Sequence, residues 1–115
     1  MEEFAYVLES VRDWIVSTAA EQGEKLKVTV TEDDEDCLVV NLENNRYVSC
    51  LAIDNYGHHP YRYLEYTIYD LRRGMNQKPV YSYADRENST VREILNHLDQ
   101  GLVLMNEPPK RGWFR

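Results

Sequence analysis

Long apolar segments, cysteine and glycine are all scarce in this 115-residue chain, and each scarcity excludes a class of protein. No apolar run approaches the roughly 18 to 20 residues that span a bilayer. The start, Met1-Glu2-Glu3, lacks the basic segment of a secretory signal, so a cytoplasmic location is expected. Without export, Cys37 and Cys50 are expected to stay reduced as small buried hydrophobes. The five glycines form no phosphate-cradling loop, which leaves nucleotide binding without support.

Positive charge is also in deficit. Thirteen lysines and arginines face twenty aspartates and glutamates, which gives a formal net charge of -7. Such a chain repels the phosphates of nucleic acids and the surface of anionic membranes, and it has no basic stripe to offset that repulsion. A basic protein is therefore the partner that composition favours.

Two hydrophobic periods run through the chain and predict helices at its ends and strands between them. Apolar residues at spacings of three and four predict a helix over residues 2–22. Alternation of apolar and polar residues predicts five strands, over 25–31, Cys37–Glu43, 46–54, 61–70 and 80–84. The capping-box sequence from Thr90 to Glu93 predicts that a second helix begins there and runs to about residue 104.

This order of elements, with short connections, predicts an α+β fold. Parallel pairing would need crossovers of about a dozen residues, so a five-stranded antiparallel meander is expected. The two helices would cover one sheet face, which buries both apolar stripes in two layers. Residues 1–105 are predicted to form one domain, and residues 106–115, which include Pro108 and Pro109, a flexible tail.

No catalytic constellation is evident. His58 and His59 are adjacent and point apart in an extended chain, with no metal-ligand spacing nearby, so they are interpreted as part of an exposed turn. Ser49, Cys50 or Ser82 could act as a nucleophile with His97, but no known nucleophile motif surrounds them. His97 is better interpreted as a structural histidine on the second helix. The protein is thus predicted to be no enzyme and to bind no metal or cofactor.

The acidic run Glu32–Asp36 and the nine tyrosines carry the remaining signal. A solvated turn and cross-strand packing are the plainer interpretations of the two features. Calcium binding is disfavoured because the run lacks the glycine and the distant glutamate of an EF-hand loop. The functional interpretation is an acidic, tyrosine-bearing interface for a basic protein, on a sheet face that the helices leave uncovered. Its predicted residues are Asp33, Asp34, Glu35, Asp36, Tyr61, Tyr63 and Glu65.

Four segments also carry a family resemblance. They are Trp14-Ile15 in the first helix, Leu26–Val30, Val39-Val40-Asn41-Leu42-Glu43-Asn44-Asn45-Arg46-Tyr47, and Leu64–Leu71 followed by Arg72-Arg73-Gly74. Across residues 4–104, their order resembles the TriTu-type immunity proteins of bacterial polymorphic toxin and contact-dependent growth inhibition systems. The family commonly has a tryptophan at the end of the third strand, where this chain has Ala52-Ile53-Asp54-Asn55.

The resemblance implies that the protein neutralises a cognate toxin domain by tight binding and catalyses no reaction. Small size, acidic balance and the lack of a catalytic motif agree with this implication. The alternative is an acidic secretion chaperone that binds an effector segment as a dimer. A chaperone would dimerise through a helix, whereas an immunity protein is expected to be a monomer or a weak dimer.

Overall fold

The computed structural model describes residues 3–56, 62–73 and 78–107. The elements follow the predicted order. They are α1 (Phe4–Gln22), a short 3-10 turn (Gly23–Lys25), β1 (Lys27–Asp33), β2 (Cys37–Glu43), β3 (Tyr47–Asp54), β4 (Leu64–Asp70), β5 (Tyr81–Ala84) and α2 (Val91–Met105). The predictions that concern Tyr61, His58, His59 and residues 108–115 of the tail lie outside the described residues.

The five strands form one antiparallel meander in the order β1-β2-β3-β4-β5, which confirms the predicted α+β fold. Both helices cover the same face of the sheet. Their apolar stripes meet the inward-facing strand residues in a single core, which includes Val7 and Val11 from α1, Leu51 and Tyr66 from the sheet, and Leu98 from α2. All five of these side chains have no solvent exposure.

The capping signals operate at both helices. Gly23 ends α1 with φ of 56°, a conformation that favours glycine, and its N–H donates to the carbonyl of Ala19. Thr90 begins α2, where its hydroxyl accepts a 3.1 Å hydrogen bond from the N–H of Glu93. The threonine half of the predicted capping box is therefore present.

The turn between β2 and β3 is closed by a side chain and not by left-handed backbone. No non-glycine residue in the described part of the chain has a positive φ. Instead, the Asn44 side chain accepts hydrogen bonds from the N–H groups of Arg46 and Tyr47, at 2.9 and 2.8 Å. This side-chain turn closes the hairpin without left-handed backbone.

The first strand ends later in the structure than the predicted residue 31. β1 runs two residues into the acidic run because Glu32 and Asp33 pair with β2 across a bulge.

Both cysteines are free, and Cys37 is buried as expected, but Cys50 is exposed. Cys50 alternates with Ser49 and Leu51, so it points to the sheet face that carries no helix.

Candidate functional site

The acidic run lies at one end of the sheet, between β1 and β2, and a single arginine fastens it to α1. Arg12 donates from Nη2 to Asp33 Oδ1 at 2.5 Å and from Nη1 to Glu9 Oε1 at 2.6 Å. Asp33 is 21 residues from Arg12, so this pair fixes the position of the turn relative to α1. The carboxylate of Asp33 is therefore partly neutralised before any partner arrives.

The turn itself is held by its own side chains. Asp34 Oδ1 accepts from the N–H of Asp36 at 2.8 Å, and the N–H of Asp34 donates to the carbonyl of Cys37 at 2.9 Å. Asp34 thus acts mainly as a turn residue. The carboxylates of Glu35 and Asp36 stay exposed and make no hydrogen bond or ion pair within the described residues.

The loop after β3 borders the same turn. The N–H of Asn55 donates to the carbonyl of Asp36 at 3.1 Å, and the N–H of Tyr56 donates to Asp54 Oδ1 at 3.2 Å.

The buried Cys37 thiol donates to Glu32 at 3.3 Å. Burial, with the neighbouring Glu32 carboxylate, raises the pKa of Cys37 to about 11, so the thiol stays protonated at neutral pH.

Charge is unevenly distributed along the strand direction. We call the end with the β1–β2 turn the acidic end, which carries Glu32, Asp33, Asp34, Glu35, Asp36 and Asp54. The opposite end carries Lys25, Lys27, Arg46, Arg72, Arg73 and Lys78, together with Glu24, Glu43, Asp70 and Glu107. Arg62, Asp85, Arg86 and Glu87 also lie at the acidic end, so its excess of carboxylates is concentrated at the β1–β2 turn.

A groove of about 640 Å³ lies at the opposite end, between the β2–β3 turn and the end of α2. Both signs of charge line it, from Glu24, Lys25, Lys27, Glu43 and Glu107. Asn44 bridges it with a 2.8 Å hydrogen bond to the carbonyl of Met105. The mixed charges select no ligand of one sign.

The sheet face without helices, which we call the open face, is built from three cross-strand rows. From the acidic end, the register gives Glu32, Val39, Ala52, Glu65 and Ala84, then Thr29, Asn41, Cys50, Thr67 and Ser82, then Lys27, Glu43, Val48 and Tyr69. These side chains are exposed or half-buried. Small side chains occupy the middle strands, β2 and β3, in the first two rows.

The structure separates the predicted interface residues into two groups. Asp33, Asp34, Glu35 and Asp36 lie together at the acidic end, and Glu65 lies on the open face close to that end. Tyr63 does not share that face. Its ring contacts Phe4 of α1 edge-on, with centroids 5.1 Å apart, and the Arg62 guanidinium stacks on it at 4.6 Å.

Five of the eight described tyrosines are buried or pack against the core, which corrects the expectation of a tyrosine-rich open face. Tyr47 and Tyr66 are buried, and Tyr63, Tyr81 and Tyr83 pack against the core. Among described tyrosines, Tyr69 lies in the third row of the open face, and the exposed Tyr56 lies beside Cys37 at the acidic end. Alternation could not show this in advance, because both faces of the central hairpin carry tyrosine.

His97 sits among aromatic side chains on α2. Its Nδ1 lies 2.7 Å from the Tyr81 hydroxyl, and its ring stacks on Tyr83 with centroids 3.8 Å apart. Cys50 and Ser82 point to the open face, on the other side of the sheet from this histidine. The geometry therefore separates these two candidate nucleophiles from their candidate base.

A buried ion pair was missed by sequence reasoning. Arg62 Nε lies 3.1 Å from Asp85 Oδ2, and the side chains are 6% and 0% exposed. The other carboxylate oxygen accepts from the N–H groups of Tyr63 and Leu64, both at 2.8 Å. The sequence could have indicated this pair only through the predicted hairpin of β4 and β5. Pairing Glu65 with Ala84 in that hairpin brings Arg62 and Asp85 to one end of the sheet.

Residues 3–56, 62–73 and 78–107 also bear on metal binding and membrane insertion. Within these ranges, no group of three or more histidine, cysteine, aspartate or glutamate side chains is placed to hold a metal ion. No described helix is long and apolar enough to cross a membrane. Comparison of the chain with protein-family models, curated proteins and solved structures finds no match.

Proposed function

We propose that the protein is a cytoplasmic binding protein of the immunity class, which neutralises a basic toxin domain by docking through its acidic end. The observation that carries the proposal is the turn at residues 33–36, where four successive acidic residues are exposed at one end of the sheet. In the described residues, Arg12 is the one cation that forms an ion pair with them. The resemblance to TriTu-type immunity proteins supplies the functional class.

The carboxylates have different roles in this proposal. Asp33 is held by Arg12 and Asp34 shapes the turn, so both mainly position their neighbours. Glu35 and Asp36 are exposed and unpaired among the described residues, so they steer a basic surface toward the turn. Glu65 extends this negative surface onto the open face.

The test is binding to the product of the gene immediately upstream. The double variant Glu35→Gln/Asp36→Asn removes two exposed charges and leaves the Arg12–Asp33 pair and the Asp34 turn intact. Association should slow by about tenfold at low salt, and its dependence on salt should flatten. Stopped-flow or surface-based kinetics measure both quantities.

Glu21→Gln/Glu24→Gln is the matched control, because it removes the same charge from exposed positions near the opposite end. Equal slowing by the two double variants would show that net charge steers association and would contradict docking at the acidic end. The functional class is tested separately. Co-expression should rescue cells that produce the upstream protein, and an upstream protein that is harmless or unbound would refute the immunity assignment.

A further inference from the structure

We propose that the open face, between Glu32 on β1 and Glu65 on β4, binds one basic amphipathic α-helix of the protein partner. The proposal rests on the proposed function and deepens it, because it names the structural element that the partner inserts. The face has no covering layer within the described residues, since both helices pack on the other side. Its first row begins at the acidic end and continues that surface.

At the acidic end of the open face, the register places small side chains of β2 and β3 between longer ones of β1 and β4, which we call the channel. Val39 and Ala52 form the floor of the first row, with Asn41 and Cys50 behind them. The walls of the first row are Glu32 and Glu65, and the second row continues them with the shorter Thr29 and Thr67. Small floor residues between longer wall residues favour a convex occupant over a second flat sheet.

The width of the channel matches a helix. Glu32 and Glu65 lie three strand spacings apart, or about 14 Å at the usual separation of neighbouring strands. An α-helix with its side chains is about 10 to 12 Å across. A helix whose small apolar side chains rest on Val39 and Ala52 would therefore place flanking side chains beside both glutamates.

The carboxylates of Glu32 and Glu65 determine that the bound helix is basic. Lys27 pairs directly with Glu43 in the third row, so those two charges offset each other. Neither Glu32 nor Glu65 has a cation among its cross-strand neighbours. Glu32 accepts from the Cys37 thiol at 3.3 Å, so this carboxylate lies beside the start of β2 at the acidic end of the channel.

Lysines or arginines on both flanks of the helix would meet these carboxylates, with their apolar stems lying against the floor. A second copy of this chain is a poorer occupant. It would bring the same uncompensated glutamates face to face.

The probe is a synthetic 18-residue helix with an alanine and leucine face flanked by lysines, compared with the same peptide in which glutamates replace the lysines. Cys50 supplies a readout that needs no variant, because its thiol is exposed in the channel whereas Cys37 is buried. The lysine peptide should slow maleimide labelling of Cys50 at least about fivefold, and the glutamate peptide should leave it unchanged. Labelling that is equally fast with both peptides would overturn the proposal.

Ala52→Arg fills the floor with a long cation and should weaken binding of the lysine peptide by about tenfold or more. Ser82→Arg is the control, because it adds the same charge on the same face but on β5, outside the channel. Equal weakening by the two variants would refute the channel, and thermal melting checks that each is folded. If labelling is unprotected while Glu35→Gln/Asp36→Asn still slows the upstream protein, the channel fails and the proposed function stands.

Discussion

At the scale of single residues, the strongest local determinant is the Arg62–Asp85 pair. The arginine also donates to the carbonyls of Glu87 and Ser89, both at 3.1 Å, so one guanidinium holds the loop between β5 and α2. The carboxylate, in turn, satisfies two backbone N–H groups at the start of β4. Such a pair is costly to break because removal of either side chain leaves the other one buried, charged and without its partner.

We therefore expect Asp85→Ala to lower the free energy of unfolding by about 3 to 5 kcal/mol. Asp13→Ala is the control, because Asp13 is exposed on α1 and its removal should change stability by less than about 0.5 kcal/mol. Urea denaturation measures both. A loss below about 1 kcal/mol for Asp85→Ala would mean that the loop finds another anchor.

Asp70 gives the protein an acid-sensitive contact. Its carboxylate accepts from the N–H and the guanidinium of Arg72, and Arg46 lies 3.8 Å away. The hydrogen bond from the Arg72 side chain is the main cause that lowers the pKa of Asp70 below its usual value of 3.8. Because the folded pKa is the lower one, this contribution is complete above the unfolded pKa and is lost as pH falls through the folded pKa.

Asp70→Asn should accordingly flatten the acid limb of the stability curve. The measurement is the denaturation midpoint between about pH 2 and pH 6, compared with exposed Asp13→Asn as the control. An acid limb that stays as steep in Asp70→Asn as in the wild type would assign the pH dependence to other carboxylates.

The residue scale is also where sequence reasoning fell short. Alternation places Leu64, Tyr66 and Ile68 on one face of β4, and all three side chains are buried. It could not place Tyr63, which precedes the strand and turns toward Phe4. Partners such as Arg12 and Asp33 are far apart in the chain, and their contact depends on how α1 crosses the sheet. The residues around Arg12 and Asp33 do not determine the angle at which α1 crosses the sheet.

At the scale of elements, hydrophobic periodicity was sufficient to predict which segments are helices and which are strands. The type of all seven predicted elements and the bounds of β2 are confirmed, because the amphipathic stripes are long and regular. The differences lie at strand ends: β4 begins at Leu64 and not at residue 61. Ends depend on pairing with the neighbouring strand, and the pattern of a single segment does not contain that information.

The contact between α2 and the sheet has an unusually close point at Gly101. The Tyr66 ring lies against this glycine, and an added Cβ would stand 2.7 Å from Cζ of the ring. The Tyr66 hydroxyl lies 3.4 Å from the carbonyl of Leu98, and burial raises the pKa of this tyrosine. Because Gly101 has no side chain, α2 continues over the ring to Met105.

Burial along α2 predicts unequal effects of two truncations. Leu98 has no solvent exposure and Leu95 is half-buried beside Trp14. Leu98→Ala should cost about 2 to 5 kcal/mol, the range for buried leucines, and Leu95→Ala should cost clearly less. Equal losses in urea denaturation would show that the two positions are buried alike in solution.

At the scale of the whole molecule, the separation of charge follows from topology. The composition alone gives the net charge of -7, but not where it lies. The meander places the acidic run and Asp54 at one end and the arginines near the β2–β3 and β4–β5 connections at the other. A local acidic end can attract a basic surface more strongly than the same charge spread evenly.

Residues 108–115 test this view of the molecule. Met105 is buried and its carbonyl accepts from Asn44, so α2 is anchored within the described residues. Deleting 108–115 should therefore leave the melting temperature unchanged within about 2 °C. A large drop would show that Trp113 and Phe114 contribute to the fold.

The same deletion removes Lys110, Arg111 and Arg115, which takes the formal net charge from -7 to -10. If the negative field steers the basic partner, association of the truncated protein with the upstream gene product should be faster at low salt. The gain should disappear when salt shortens the screening length to about 8 Å or less. Slower association at every salt concentration would show that the deleted residues belong to the interface and that steering is not the dominant effect.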